Sequence, residues 1–284
     1  MKKILSILLL LFVLVGCSSK SIEPVTNELL FTVNGKEIKE TDIFESMKLS
    51  RGSISIIHDE AQRLLLKSLV TEDEAFDKKV AETLAEAKEL IGDNFELMLE
   101  KNGFESEEDY VEKVIKEIAR LDIVLTNTMS EDFEALKVKR PRYVRIIEVS
   151  VADGNKVEEL AKAGETLEDL AKEYGVKDSK FDGDKLLVSE VSDLDTQLLE
   201  AILKPTEVGL IEKGIAPSTQ DVVYIAEVVD LDADNFKDAA IEHFVNNNKL
   251  ANEYIGNLFV KHKFTLYDQT LFDMYKDEFP DHLK

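Results

Sequence analysis

The chain has 284 residues and a net charge of −23, with 58 acidic against 35 basic side chains. That length can bury one large or two small cores, while the acidity excludes general affinity for nucleic acid, which needs a basic face. A single cysteine rules out a disulfide framework, and the absence of Trp with only 12 Gly and 5 Pro argues against a turn-rich β-sandwich and for a helix-rich body.

Taken in chain order, Lys2 and Lys3 precede an apolar run from Ile4 to Val15 that only Ser6 interrupts. A membrane span needs about 20 apolar residues, so this run is too short to cross and fits the apolar region of a secretory signal peptide. Leu14-Val15-Gly16-Cys17 resembles the lipobox of bacterial lipoproteins, which implies cleavage after Gly16 and acylation of Cys17. Several acyl chains give stable anchoring where one is marginal. The mature chain, 17–284, loses Lys2 and Lys3 and drops from −23 to −25. It would be repelled by anionic headgroups and depend on its lipid for membrane attachment.

Residues 17–28 read as a polar tether. Leu29–Val33 then forms a strand, Asn34-Gly35 a tight turn, and Thr41 caps a helix from Asp42. Apolar spacing predicts helices over His58–Lys79 and Val80–Lys101, the second ended by Asn102-Gly103. Ser106, with Asp109 three residues on, starts a third helix carrying Tyr110, Val111, Val114, Ile115, Ile118, Leu121 and Leu125. The basic stretch Lys137–Arg142, with Pro141, marks a boundary. Beyond it come a strand (Tyr143–Val151), helices (Lys156–Ala163 and Leu167–Tyr174), a strand (Leu186–Val188) and a helix (Thr196–Leu203). Two more strands, Glu207–Ala216 and Val222–Val229, complete an α+β unit with an antiparallel sheet. Helix returns over Phe236–Phe259, followed by a short extended piece, Phe264–Tyr267. The two helical ends are expected to pack together, with the α+β unit inserted between them.

Several stretches carry a family resemblance. They are Val33-Asn34-Gly35-Lys36-Glu37-Ile38 with Thr41-Asp42; Asn102-Gly103-Phe104 through Glu107-Glu108-Asp109-Tyr110; Ala163 through Tyr174; and Leu203-Lys204-Pro205-Thr206-Glu207-Val208. In this order, behind a lipobox, the chain resembles extracytoplasmic foldases of the PrsA and SurA type. The resemblance implies an α+β protein with a helical chaperone module at 29–140 and 232–284 and a parvulin-like prolyl isomerase domain at 141–231. It also implies a partner class, unfolded or newly secreted proteins, and attachment to the cell membrane by lipid.

The isomerase site that the resemblance implies has a histidine in the first strand of the domain and another in the last. Ile146 and Tyr224 stand at those positions, and no histidine occurs between His58 and His243. A Gly-Gly-Asp-Leu-Gly turn survives as Gly183-Asp184-Lys185-Leu186, leaving Asp178 or Asp184 as the nearest carboxylate, and Ser192 and Thr196 align with the apolar floor of the proline pocket. Isomerisation crosses a barrier of about 18–20 kcal/mol, lowered only by groups that bind the twisted amide better than the planar one. An aliphatic Ile146 cannot, so the expectation is a chaperone whose parvulin-like domain lacks catalysis. Two alternatives are an active parvulin-type isomerase and a lipoprotein adaptor for one folded partner.

The remaining chemistry is sparse. Neither a phosphate-binding glycine loop nor a nucleophile motif occurs, so no cofactor is expected. His58, His243, His262 and His282 lack metal-ligand spacing, with His58 read as a helix N-terminus and His262 as a helix C-terminus. Asp273, Asp277, Glu278 and Asp281 lack calcium-loop spacing and read as solvated charge. Client binding is assigned to apolar positions beyond one core-facing stripe, namely Met47, Phe95, Leu97, Met98 and Leu99.

Overall fold

The computed structural model describes residues 27–211, 214–216 and 221–283. The described chain falls into two compact units, one made of 27–127 with 248–283 and one of 128–247. The first unit is thus built from both ends of the chain and the second is inserted, an α+β arrangement.

The first unit begins with a hairpin of β1 (Leu29–Val33) and β2 (Lys36–Lys39). Its turn residues Asn34 and Gly35 both have positive φ, 51° and 75°, the backbone a two-residue hairpin needs to match strand twist. Helix α1 (Glu40–Lys48) starts two residues before the sequence reading. Asp42 Oδ2 accepts the Lys39 N–H at 2.9 Å, while the expected cap, Thr41, donates its hydroxyl to Asn27.

The next helices are α2 (Arg51–Leu69) and α3 (Glu74–Ile91). The predicted boundary at 79/80 therefore lies about two to three turns past the observed break. Val70 turns extended, and Asp73 Oδ1 accepts the amides of Ala75 and Phe76, so a side-chain cap sets the break. After a 3₁₀ turn at Gly92–Asn94, α4 (Phe95–Lys101) ends at Asn102-Gly103. There Gly103, at φ 76°, lets the Phe104 amide reach back to the Leu99 carbonyl. Ser106 caps α5 (Glu107–Tyr110) as read, and a π turn at Val111–Ile115 leads into α6 (Lys116–Glu131). Ala87, Phe95, Leu99, Tyr110, Ile115 and Ile118 form one core here, with Tyr110 edge-on to Phe95 and Phe104.

The second unit opens with α7 (Phe133–Leu136). Its sheet comprises β3 (Arg142–Ser150), β4 (Asp182–Val188), β5 (Gly209–Leu210) and β6 (Val222–Asp230), in order β4-β3-β6-β5 and wholly antiparallel. One face, with Ile147, Val149 and Ile225, packs on α8 (Val151–Lys162) and α9 (Leu167–Tyr174) through Val157, Leu167 and Leu170. The other, with Val144, Ile146, Tyr224, Ala226 and Val228, lies under Leu198 and Ile202 of α10 (Thr196–Leu203). Period-two alternation of apolar side chains on β3 and β6 supplies both faces.

The second unit extends past 141–231 at both ends. Lys137, read as part of a boundary, pairs with Asp234 at 2.7 Å, and Tyr143 packs on Phe236. Buried Arg142 donates to the carbonyls of Ile202 and Pro205, and Arg140 to that of Leu203, so these basic residues close the C-terminus of α10.

The helix expected over Phe236–Phe259 is two, α11 (Lys237–Val245) and α12 (Asn248–Lys261). They part at Asn246-Asn247, where the Asn247 side chain instead donates to the Val191 carbonyl. Phe264–Tyr267, read as a short extended piece, pairs with none of the described strands. It leads to an unexpected helix, α13 (Gln269–Glu278), capped by Asp268 and carrying Asp273, Asp277 and Glu278.

Candidate functional site

On the α10 side of the sheet, β3 presents Ile146 and Glu148 and β6 presents Tyr224. The register pairs Ile146 with Ala226 and Glu148 with Tyr224. Ile146 and Tyr224 therefore share a face as diagonal neighbours, and a carboxylate is the residue directly across from the tyrosine. Ile146 is 1% exposed and Tyr224 6%, both within the core of this face. The ring of Phe181 stands edge-on to Tyr224, with centroids 5.6 Å apart.

The segment after α9 completes the site. Val176 donates its amide to the Glu148 carbonyl at 2.8 Å, Ser179 donates its hydroxyl to the Glu148 carboxylate at 2.7 Å, and Phe181 donates its amide to the Ser179 oxygen at 3.1 Å. Burial raises the pKa of the Tyr224 phenol, and the nearby carboxylates of Glu148 and Asp195 add to the effect. The phenol is therefore neutral at neutral pH. Neither β3 nor β6 carries a histidine.

Asp184 does not join this group. It is exposed on β4, and its charge acts on Lys172 of α9, which covers the opposite face. Ser192 lies in a turn where its oxygen accepts the Ser189 amide and meets His243 Nε2 at 3.3 Å, and Thr196 is exposed at the start of α10. Sequence reasoning missed Glu148, Ser179, Phe181 and Asp195. Only Glu148 had a signal, standing two residues from Ile146 in a strand and hence on the same face.

Of the client-binding candidates, Phe95 and Leu99 are core residues at 6% and 5% exposure, and Met98 packs against that core. α4 is apolar on more than one face, and α3 and the Val111–Ile115 turn cover those faces. Leu97 and Met47 are exposed. Met47 belongs to a larger group on two elements, β1 of the hairpin and α1. There Leu29, Leu30, Phe31, Val33, Ile43, Phe44 and Met47 are all exposed, and Leu49 follows them. Both faces of β1 are open.

His58 is not at a helix N-terminus but inside α2, hydrogen-bonded to Tyr275. Cys17 lies outside the described residues. Among the described residues, no helix is long and apolar enough to cross a membrane, and no three His, Cys, Asp or Glu side chains form a metal-binding group.

These features define an α+β protein whose helical unit, drawn from both chain ends, carries an inserted four-stranded antiparallel domain. No family model matches the chain. It is 28% identical over 175 residues to the foldase protein PrsA of Geobacillus kaustophilus (strain HTA426), covering 58% of this chain and 56% of that protein. It is 25% identical over 137 residues to foldase protein PrsA 3 of Bacillus anthracis, covering 48% and 47%. The chain is therefore similar to PrsA-type foldases, and its matches span about half the length of these curated relatives. Among solved structures, the foldase protein PrsA of Streptococcus pneumoniae str. Canada MDR_19A is 18% identical, with 90% of this chain and 100% of that chain covered and a TM-score of 0.49.

Proposed function

We propose that this chain is a foldase of the chaperone kind that works outside the cytoplasm, held at the cell membrane by lipid on Cys17, and that its first unit binds unfolded or newly secreted proteins. The parvulin-like domain at 141–231 serves as a structural or peptide-binding appendage without isomerase turnover. The observation that carries this reading is the exposed apolar group on the hairpin and α1. Eight large apolar side chains between Leu29 and Leu49 are each at least 38% exposed. Exposed apolar surface of more than a few hundred Å² is uncommon on soluble proteins and usually serves binding, and Met47 adds an adaptable side chain. The acidic remainder of the chain keeps such a surface from associating with itself.

The non-catalytic reading is supported by Ile146, which offers no polar atom beneath a twisted amide, and by the burial of Tyr224. The test uses the chain from Ser18 onward with an unfolded client. Wild type should suppress client aggregation, and Phe31→Ser with Phe44→Ser and Met47→Ser should lose most of that suppression without losing helicity, because all three side chains are exposed. Unchanged suppression in the triple variant removes the proposed surface. Turnover of Xaa-Pro peptides that Tyr224→Phe abolishes would replace the non-catalytic reading with an active isomerase.

A further inference from the structure

Four elements of the first unit meet around one hydroxyl. Tyr275 of α13 is fully buried, and its oxygen lies 2.9 Å from His58 Nδ1 of α2 and 3.4 Å from His282 Nδ1 in the C-terminal tail. The His58 ring stacks on Phe279, with centroids 4.2 Å apart and planes 10° off parallel. The two imidazoles are 5.3 Å apart, and His282 also stacks on Phe259 of α12. Gly256 of α12 makes room for this, since a Cβ there would stand 2.7 Å from His282 Cδ2. A separate tie holds the other end of α13, where Lys48 of α1 pairs with Asp268 at 2.9 Å.

We propose that α13 and the tail after it form an acid-released latch, in which His58 and His282 clasp Tyr275 at neutral pH and let this segment leave α2 once both imidazoles are protonated, uncovering apolar surface for unfolded chains. The hydroxyl sets the stoichiometry. With both rings neutral, one imidazole nitrogen accepts the tyrosine proton and the other donates its N–H to the tyrosine oxygen. One added proton is accommodated by reversing the direction of that chain. A second is not, because two N–H donors then face one oxygen and the tyrosine proton has no acceptor. Two like charges would also stand about 5 Å apart in a desolvated cluster.

The ionisable groups around the pair set the direction. Burial, and then the charge of His282, depress His58 from 6.5 to about 4, and burial depresses His282 against an opposing pull from Asp281. Asp59 beside His58 on α2 is raised by burial, so it takes up a proton more readily in the closed form and works against opening. Its single carboxyl opposes two depressed bases. Tyr275 stays protonated throughout, held high by burial and by Asp59. From α12 the cluster receives Phe259 and Gly256, neither ionisable. Lys48 holds Asp268 below its ordinary pKa, so that tie persists in mild acid and makes the start of α13 the pivot. Opening would uncover Ile54 and Leu283, and would widen a cleft of ≈ 540 Å³ already present between α2 and α13, lined by Gly52, Ile54, Ser55, Met274, Asp277 and Glu278.

The claim that the uncovered surface receives clients rests on the foldase reading, whereas the latch itself does not. Hydrogen exchange on the chain from Ser18 onward, corrected for intrinsic rates, should show residues 269–283 losing protection between pH 7 and pH 5 while α12 keeps it. Two-proton linkage makes the opening constant rise by up to about a hundredfold per pH unit, against about tenfold when one histidine is removed. His58→Gln with His282→Gln keeps hydrogen-bonding groups that do not titrate, and should retain protection at pH 5. Gly256→Ala, which crowds His282 without harming a helix, should open the latch at pH 7. Equal protection at both pH values, loss of α13 and α12 together, or the same acid response in the double Gln variant overturns the latch. Opening with no gain in aggregation suppression overturns its regulatory role. Absence of suppression in every variant at every pH defeats the foldase reading and leaves the exchange result to decide the latch.

Discussion

Replacing Ile146 with histidine asks whether the sheet face beneath α10 retains a site shaped for an imidazole. Ile146 is 1% exposed among Val144, Phe181, Val188, Leu198, Ile202, Tyr224, Ala226 and Val228. Removing its side chain forfeits about 1.5–3 kcal/mol of apolar burial. Ile146 pairs with Ala226 of β6, while the β3–β4 register shifts between Arg145 and Ile147. The Tyr224 hydroxyl can serve one nitrogen at most, and the other, left unpaired, costs about 1–3 kcal/mol. Ile146→His should therefore lower the stability of the second unit by about 3–5 kcal/mol, a large part of a typical domain's 5–15 kcal/mol. The loss should grow as pH falls below 6.5, since a buried imidazole resists protonation. Urea unfolding followed by circular dichroism at pH 7.5 and 5.5 measures both effects. A loss below about 1 kcal/mol at pH 7.5 would refute the packing argument and mean that the face accommodates a histidine. Isomerase turnover appearing with it would refute the non-catalytic reading as well.

Other expectations concern single interactions. Cys17→Ala should move the protein from the membrane fraction to the soluble fraction or leave the precursor uncleaved, and a processed, membrane-bound variant contradicts lipid anchoring. Asp73→Ala removes the acceptor for two α3 amides and should cost about 1 kcal/mol in a thermal or urea melt, with no measurable change counting against the cap. Gly183→Ala combines a φ of 83° with a Cβ only 2.5 Å from the Leu167 backbone. It should undock α9 from β4 at a cost above about 2 kcal/mol, and a wild-type melt would contradict that contact. For the first unit, the unfolded chain gains a proton on His58 below pH 6.5 that the folded chain refuses until about pH 4. Stability is thus complete above 6.5 and falls with acidification through that window. At about 1.36 kcal/mol per unit over 6.5 − 4, the His58 share of the loss is on the order of 3 kcal/mol; His58→Gln should remove that share and leave the weaker acid response due to His282.

Local chemistry made much of this molecule legible in its sequence. Helices α9 and α10 occupy Leu167–Tyr174 and Thr196–Leu203 as the apolar spacing indicates, and the Asn34-Gly35 turn and the Ser106 cap form as read. Such features depend on residues within a turn or two of each other, so periodicity and capping chemistry suffice to find them. The sheet is legible for the same reason, because β3 and β6 alternate their apolar residues. The α+β class and the nesting of one unit within another follow from the order of these patterns.

What remained hidden depends on residues far apart in the chain. Apolar residues on several faces of α4 read as surplus, but burial is decided by what arrives from elsewhere, and Phe95 and Leu99 are covered while β1, a plainer apolar run, is left open. The β3–β6 register decided that Tyr224 faces Glu148, a pairing fixed by hydrogen bonds across a gap of 76 residues that no local spacing encodes. The family resemblance groups Asp184 with Ile146, yet its charge acts on Lys172 of α9, which covers the other face of the sheet. His58 and His282 stand at nearly opposite ends of the chain, each unremarkable among its neighbours, and they meet because α2, α12 and α13 close around Tyr275. Helices and turns answer to local backbone and side-chain preferences, whereas sites answer to packing, and packing is a property of the whole folded chain.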